Sequence, residues 1–417
     1  MDDVAAIILA AGQSTRMITD LPKVLHEVCG RPMLAFVLDA CRKLGIRRLL
    51  VVVGYRKDAV MDAFVDDSGD ITWVEQADRQ GTGHAVQICR DYLGPEVRHC
   101  LVLCGDGPLV RHETLQMLVD KHRQERSSAT LATAILDDPT GYGRIIRDAY
   151  GNLQGIVEES DCNAQQQEIR EVNPSYYCFD RQHLFEALDQ VTPDNVKGEY
   201  YLTDALKIII GQGHKAVAIT AVPPEDVLSI NSRHQLPVVS KVMQTRIQDE
   251  LMAGGVTIVD PPNTWVDARA VVGRDSVIHP FTYIHGRVTI GKRCSVGPFA
   301  YLRDGTVLAD DVVVGVFIEL KNSTLGPQTR ARHHSYIGDA QIGQRVNVGA
   351  GTIVANFNGT RISPTRVEDG AYIGSGAILV APLSLPAGSH IDPGAVVDQH
   401  TEVPGGDGSD PQANADG

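Results

Sequence analysis

From Val266 onward, large apolar residues return at every sixth position: Val266, Val272, Ile278, Ile284, Ile290, Val296, Leu302, Leu308, Val314 and Leu320. A helix repeats near 3.6 residues and an alternating strand at 2, so neither explains this period. A triangular coil does, because each hexapeptide then forms one short side and turns one side chain inward. A second run, Val367, Ile373, Leu379, Leu385, Ile391 and Val397, keeps the same spacing. Between Val354 and Val367 the count is interrupted by a segment containing Asn356-Phe357-Asn358-Gly359. This predicts a loop leaving the coil, and loops on rigid scaffolds commonly carry function.

The first 230 or so residues read differently, as strands alternating with helices, which predicts a parallel sheet covered on both faces. Val4 to Leu9 is an apolar run ending in Ala10-Ala11-Gly12, and Leu49 to Val53 and Cys100 to Leu103 are similar runs. Ligands gather at the carboxyl ends of such strands. Val239, Val242, Met243, Ile247 and Leu251 recur at helical spacing and predict a connecting helix. The expected organisation is therefore an α/β domain over 1–232, a helical linker over 233–254, a β-helix over 255–403 and a disordered acidic tail over 404–417.

Composition narrows the function. A formal net charge of −14 argues against a nucleic-acid backbone as partner, since that needs a clustered basic surface. No run approaches the roughly 20 apolar residues that span a bilayer. The eight cysteines are scattered singly, without a CxxC pair, so neither structural zinc nor a disulfide framework is expected. With the acidic start Met1-Asp2-Asp3, these features predict a cytoplasmic protein without membrane partners.

In an acidic chain, an anionic ligand must meet its cations locally. Leu9-Ala10-Ala11-Gly12-Gln13-Ser14-Thr15-Arg16-Met17, followed by Leu21-Pro22-Lys23, offers such a place. Small residues after a strand let backbone N–H groups approach phosphates, and Arg16 and Lys23 add positive charge.

This LAAGxxTRM stretch with LPK resembles the sugar-1-phosphate nucleotidylyltransferases, and Gln76-Ala77-Asp78-Arg79-Gln80-Gly81-Thr82-Gly83-His84-Ala85 narrows the likeness. From about Val4 to Val397 the chain is similar to the bifunctional bacterial family that acetylates glucosamine 1-phosphate and then uridylylates the product. The resemblance implies a Rossmann-like nucleotidyltransferase domain and a left-handed parallel β-helix of hexapeptide repeats. It also implies Mg²⁺, UTP and N-acetylglucosamine 1-phosphate, and a place in peptidoglycan synthesis and cell wall biogenesis. By resemblance, Leu9, Ala11 and Gly12 line the nucleotide, Arg16 and Lys23 hold the triphosphate, and Gln76, Gly81 and Thr82 read the uracil edge. Asp106 and Asn231 are the implied metal ligands, with Asn231 also near the sugar, and Gly143, Glu158, Asn173 and Tyr201 the implied sugar contacts. Three places depart from the family pattern: Cys104 stands where a tyrosine is expected, Gly107 replaces a bulkier residue, and Pro174-Ser175 replaces Thr-Gly.

For the β-helix the resemblance implies acetyl transfer from acetyl-CoA to glucosamine 1-phosphate. Arg303 and Lys321 would hold the sugar phosphate, His333 would be the general base, and Tyr336, Asn347 and Asn356 would contact the sugar. Ala350 and Ser375 would lie near the CoA, and the site would form between the subunits of a homotrimer. A histidine suits the base role because its pKa lies near working pH. Departures recur here: the coil is shorter by about one and a half turns, and Arg332, Phe357 and Pro393 replace glycine, tyrosine and alanine. The family's basic C-terminal arm is also replaced by the acidic tail. The alternative is a nucleotidylyltransferase whose β-helix serves only as a trimerisation scaffold, and a third reading gives it another sugar or base.

Overall fold

The computed structural model describes residues 1–13 and 15–406. The chain forms two compact units that meet between Ser240 and Lys241, a division that falls inside the helix Gln235–Ala253. Of the expected tail, only Pro404, Gly405 and Gly406 lie within the described residues.

The first unit is built on a sheet whose main strands are β1 (Val4–Leu9), β2 (Leu49–Val53), β3 (Ile71–Glu75), β4 (His99–Cys104), β5 (Ala129–Ile135), β6 (Glu171–Asp180) and β7 (Ala216–Thr220). Their order across the sheet is β7-β5-β6-β4-β1-β2-β3. Alternate residues of β1 enter opposite cores, Ala6 and Ile8 on one face and Ala5 and Ile7 on the other. Burial on both faces explains why this strand reads as a continuous apolar run.

The expectation of a parallel sheet is corrected at β6 and at the hairpin Gly143–Arg147 and Leu153–Val157, whose first strand pairs antiparallel with β6 and with the second. β6 runs antiparallel to both of its neighbours, β4 and β5. Apolar runs report burial and say nothing of direction, so the reversal left no trace in the sequence pattern. After β3 the chain crosses to the far side of β1 to form β4, so β1 and β4 flank a topological switch point. Their carboxyl ends carry Leu9–Gly12 and Cys104–Asp106, the place where such sheets open a crevice.

The second unit is a left-handed parallel β-helix with three sides. One inward column runs Ile278, Val296, Val314, Ala331, Val348, Ile373 and Ile391, each in register with the next coil. A second runs Val272, Ile290, Leu308, Leu325, Ile342, Val367 and Leu385. Except for the half-buried Val272, these side chains are buried in one core. Gln244 and Gln248 of the helix donate to the carbonyls of Val266 and Thr264, at 2.5 and 2.7 Å, capping the first coil. Stacked coils need such an end cover.

The coil continues where the strict six-residue count loses it. Leu320 to Leu325 and Ile337 to Ile342 are five-residue steps, with Asn322 and Asp339 in the left-handed region at φ 47° and 51°. Asn and Asp tolerate that region better than most residues, which lets these corners close one residue early. The loop between Val354 and Val367 does leave the coil. It folds back on itself, Phe357 bridging Ile362 and the Ser363 N–H donating to the Asn356 carbonyl at 2.8 Å.

Candidate functional site

At the end of β1, Ala10 and Ala11 are buried, whereas Gly12 and Gln13 are exposed. Nothing lies within 4 Å of where a Cβ on Gly12 would stand, so its backbone is open to a ligand. The next turn carries Arg16 within the short helix Thr15–Met17, and a second short helix, Lys23–Leu25, carries Lys23. Arg16 and Lys23 both donate to Asn231 Oδ1, at 2.9 and 2.7 Å, and Lys23 Nζ also contacts the Asp106 carboxylate. Asn231 is oriented for this because its Nδ2 donates to Ser229 Oγ at 3.0 Å and its N–H to Gln235 Oε1 at 2.7 Å. Segments more than 200 residues apart thus bring two cations, a carboxylate and an amide oxygen together.

Three adjoining cavities meet at this cluster. One of about 230 Å³ holds Leu9, Gly12, Arg16, Lys23, Asp106 and Asn231. A larger one of about 1030 Å³ is lined by Leu9, Ala11, Gly12, Gln76, Gly81, Thr82, Cys104, Asp106 and Glu199. A third, of about 200 Å³, is lined by Cys104, Asp106, Gly107, Tyr142, Gly143, Glu158, Asn173, Ser175 and Val227, among others. Asp106 lines all three.

Within the larger cavity, Gln76 Nε2 donates to the Gly81 carbonyl at 3.1 Å, and Thr82 Oγ1 accepts the Leu202 N–H at 3.1 Å. Gly81 has φ 113°, and a Cβ there would meet the Tyr200 carbonyl at 2.6 Å, so only glycine fits. In the third cavity, Glu158 accepts from Thr203 Oγ1 at 3.2 Å, and Asn173 Nδ2 donates to the Tyr177 hydroxyl at 2.6 Å. Burial raises the Glu158 carboxyl above its ordinary range, against the Thr203 hydrogen bond and the Lys197 charge. Burial, reinforced by the Asp106 charge, pushes the Cys104 thiol up to about 12.

Tyr201 stands apart from the other residues expected around the sugar. It lines none of these cavities: it precedes the helix Leu202–Gly211, is 7% exposed, and its hydroxyl has no hydrogen-bond partner. Thr203, two residues on, is the side chain that reaches Glu158. Sequence reasoning passed over Thr203, although its place in the first turn after Tyr201 was a usable signal.

The raised Glu158 value has a measurable consequence. Folding favours the protonated carboxyl, so this group's contribution to stability is full below the ordinary carboxylate range and is lost as pH rises through the raised value. Glu158→Gln mimics the protonated form. Its Tm gain over wild type is expected to be larger near about pH 8 than near about pH 4, by on the order of 2 °C. Equal gains at both pH values in thermal melts contradict this.

In the β-helix, Lys321, Asn322 and Asn356 gather around Asp339. The Asp339 carboxylate accepts from Asn356 Nδ2 at 2.5 Å and Asn322 Nδ2 at 2.7 Å, and lies 3.5 Å from Lys321 Nζ. Burial alone would raise this carboxyl, but those hydrogen bonds and the ammonium hold it below the usual carboxylate range. The Tyr336 hydroxyl and the Asn356 amide lean over Gly338, where a Cβ would meet them at 2.4 and 2.8 Å. Arg303 pairs with Glu319 at 2.9 Å. Asp339 is a hub that sequence reasoning missed, because the five-residue step at Ile337 hid its place in the repeat.

His333, Ala350 and Ser375 form a separate column. The His333 carbonyl accepts from the Gly351 N–H at 3.3 Å, the Ala350 carbonyl from Gly376 at 2.7 Å and the Ser375 carbonyl from Gly394 at 2.8 Å. Asn347 lies between Arg330 and Tyr372 in register. Among the described residues of a single chain, no side-chain hydrogen bond joins exposed His333 to Arg303, Lys321, Tyr336, Asn347 or Asn356.

Comparison with known proteins places both units. Residues 6–207 match the MobA-like NTP transferase domain family, and residues 269–304 match the bacterial transferase hexapeptide (six repeats) family. The bifunctional protein GlmU of Heliobacterium modesticaldum is 43% identical, over 91% of this chain and 89% of its own length. Its namesake in Bacillus licheniformis is 43% identical over 92% and 91%, and that in Bacillus subtilis 37% identical over 92% and 91%. No helix among the described residues is long and apolar enough to cross a membrane. The hexapeptide domain fits the acetyltransferase role and is more than a scaffold. Similar to these relatives over nine-tenths of its length, the chain belongs to the bifunctional GlmU family, enzymes that join a nucleotidyltransferase to a glucosamine-1-phosphate acetyltransferase.

Proposed function

We propose that the first unit transfers the uridylyl group of UTP to N-acetylglucosamine 1-phosphate, in the cytoplasm, through the residues that converge on Asp106. The observation that carries this reading is that Asp106 lines all three cavities. The uracil would occupy the largest, against Gln76, Gly81 and Thr82. The triphosphate would lie over Leu9, Ala11 and Gly12 with Arg16 and Lys23 against its charge, and the sugar would sit against Gly143, Glu158 and Asn173. An oxygen of the acceptor's phosphate attacks the α-phosphorus, the bond from that phosphorus to the bridging oxygen of the β-phosphate breaks, and pyrophosphate leaves. The acceptor is already an anionic nucleophile, so no base is needed. The protein's contribution is position and charge.

The donor set fits Mg²⁺. Asp106 and Asn231 present oxygens at one cavity, and among the described residues no group of three His, Cys, Asp or Glu could hold a metal. Such a pair suits a cation that keeps waters and phosphates in its shell, and when bound it offsets phosphate charge. Lys23, now against Asp106, would then be released toward the phosphates. Tyr201 enters this reading only as a buried neighbour of the sugar contacts.

The β-helix would acetylate glucosamine 1-phosphate from acetyl-CoA. His333 takes a proton from the sugar's ammonium, the freed amine attacks the thioester carbonyl, and the C–S bond breaks to release CoA, whose sulfur ends with the amine's second proton. Arg303 and Lys321 would hold the phosphate, with Tyr336, Asn347 and Asn356 on the sugar and Ala350 and Ser375 along the CoA. The second site would form in a homotrimer in which one chain's column faces another's cluster. The stacked rings of Phe281, Phe299 and Phe317, each about half exposed with centroids 4.9 and 5.2 Å apart, support such an assembly. The test is direct. Purified protein is expected to release pyrophosphate from UTP with N-acetylglucosamine 1-phosphate and Mg²⁺, and CoA from acetyl-CoA with glucosamine 1-phosphate. Absence of either product rejects that half of the reading.

A further inference from the structure

Asp339 carries a charge that its place in the coil does not require. It turns the corner after the inward-facing Ile337, in the left-handed region at φ 51°. At the same corner of the two preceding coils, after Leu302 and Leu320, the left-handed residue is Gly305 at φ 79° and Asn322 at φ 47°. Glycine and asparagine both adopt that region, so the turn itself needs no carboxylate. Yet the Asp339 side chain is only 13% exposed, and a charge so placed is costly unless it is paired and hydrogen-bonded.

Its partners include Lys321 and Asn356, which would hold the acceptor's phosphate and sugar. The carboxylate accepts from Asn356 Nδ2 at 2.5 Å and lies 3.5 Å from Lys321 Nζ. Asn356 stands where the chain leaves the coil, and where the chain returns the Asp339 carbonyl accepts the Thr365 N–H at 3.2 Å. Both ends of the departing loop are therefore tied to this one residue. An ionised carboxylate only accepts, so the Asn356 amide must turn its nitrogen toward Asp339, which leaves Oδ1 for a ligand. Among the described residues nothing donates to Asn356 Oδ1. A neutral amide at position 339 could donate as well as accept, and would leave Asn356 able to turn over.

We propose that Asp339 is a positioning residue for acetyl transfer, fixing the Asn356 amide with its oxygen toward the sugar and holding the Lys321 ammonium in place for the phosphate. This rests on the assignment of the β-helix to glucosamine 1-phosphate.

The experiment measures CoA release by the full chain for wild type, Asp339→Asn, Asn356→Ala and the double variant, varying each substrate in turn. Asn322 shows that this corner accepts asparagine, so Asp339→Asn is expected to keep its thermal melt and its uridylyl transfer. Its KM for glucosamine 1-phosphate is expected to rise by roughly tenfold, the scale of one hydrogen bond to a charged group. Its KM for acetyl-CoA is expected to stay within about twofold of wild type, because only the acceptor's contacts are lost. In the Asn356→Ala background the same substitution is expected to cost at most about threefold, since residues acting through one another are not additive. Asp339→Gly copies the corner at Gly305 and is expected to give the same pattern, which keeps the inference testable should Asp339→Asn not fold. Equal rises in both KM values, a lower kcat with both unchanged, or the full loss repeated in the Asn356→Ala background would show a merely structural role and overturn the inference. Absent CoA release by wild type would instead overturn the assignment of the β-helix site itself.

Discussion

Lys23→Ala is expected to lower kcat/KM for pyrophosphate release by roughly 10³-fold, the scale of losing one preorganised charge contact to a transition state. Lys23 touches both Asp106, which lines all three cavities, and Asn231 Oδ1. Its removal takes away an attraction for the phosphates and leaves the Asp106 carboxylate facing them with one cation fewer. Arg16 is exposed and reaches only Asn231 among the cluster, so it cannot compensate from its position. A steady-state assay checks the loss and a thermal melt checks the fold. Turnover within a few-fold of wild type would remove Lys23 from the phosphate clamp.

The second large effect separates the two units. His333→Ala is expected to reduce CoA release by roughly 10²–10⁴-fold, the usual contribution of a positioned general base, with uridylyl transfer unchanged. The imidazole is exposed, so truncating it opens no cavity in the coil core. The strand's backbone is held independently, by the Gly351 N–H and by Ser335 Oγ, which donates to the His333 carbonyl at 2.9 Å. Loss of both activities together would point to a folding defect, and loss of neither would return the β-helix to a scaffold.

What the sequence revealed follows from what residue patterns encode. A six-residue apolar period has one structural solution, so the β-helix was legible from Val266 to Leu320 and again from Val367 to Val397. Between them Leu325, Ala331, Ile337, Ile342, Val348 and Val354 are just as buried. The two five-residue steps at Asn322 and Asp339 broke the count without breaking the coil. In the first unit, apolar runs located the strands but could not show that β6 is reversed. The cluster of Arg16, Lys23, Asp106 and Asn231 was reached through resemblance, since no local pattern links positions 83 and 208 residues from Lys23. Tyr201 shows the opposite limit. Its neighbours Glu199 and Thr203 reach the cavities or their lining while its own hydroxyl is buried, and adjacency in sequence cannot choose which of several consecutive side chains faces a site.

The central claim is that UTP's phosphates lie in the cradle formed by Gly12, Arg16, Lys23 and Asp106. Calorimetric titration of UTP with Mg²⁺ into wild type and Lys23→Ala tests it most directly. The Kd is expected to be at least roughly tenfold weaker in the variant, about 1.4 kcal/mol. Equal affinities would place the triphosphate elsewhere and contradict it.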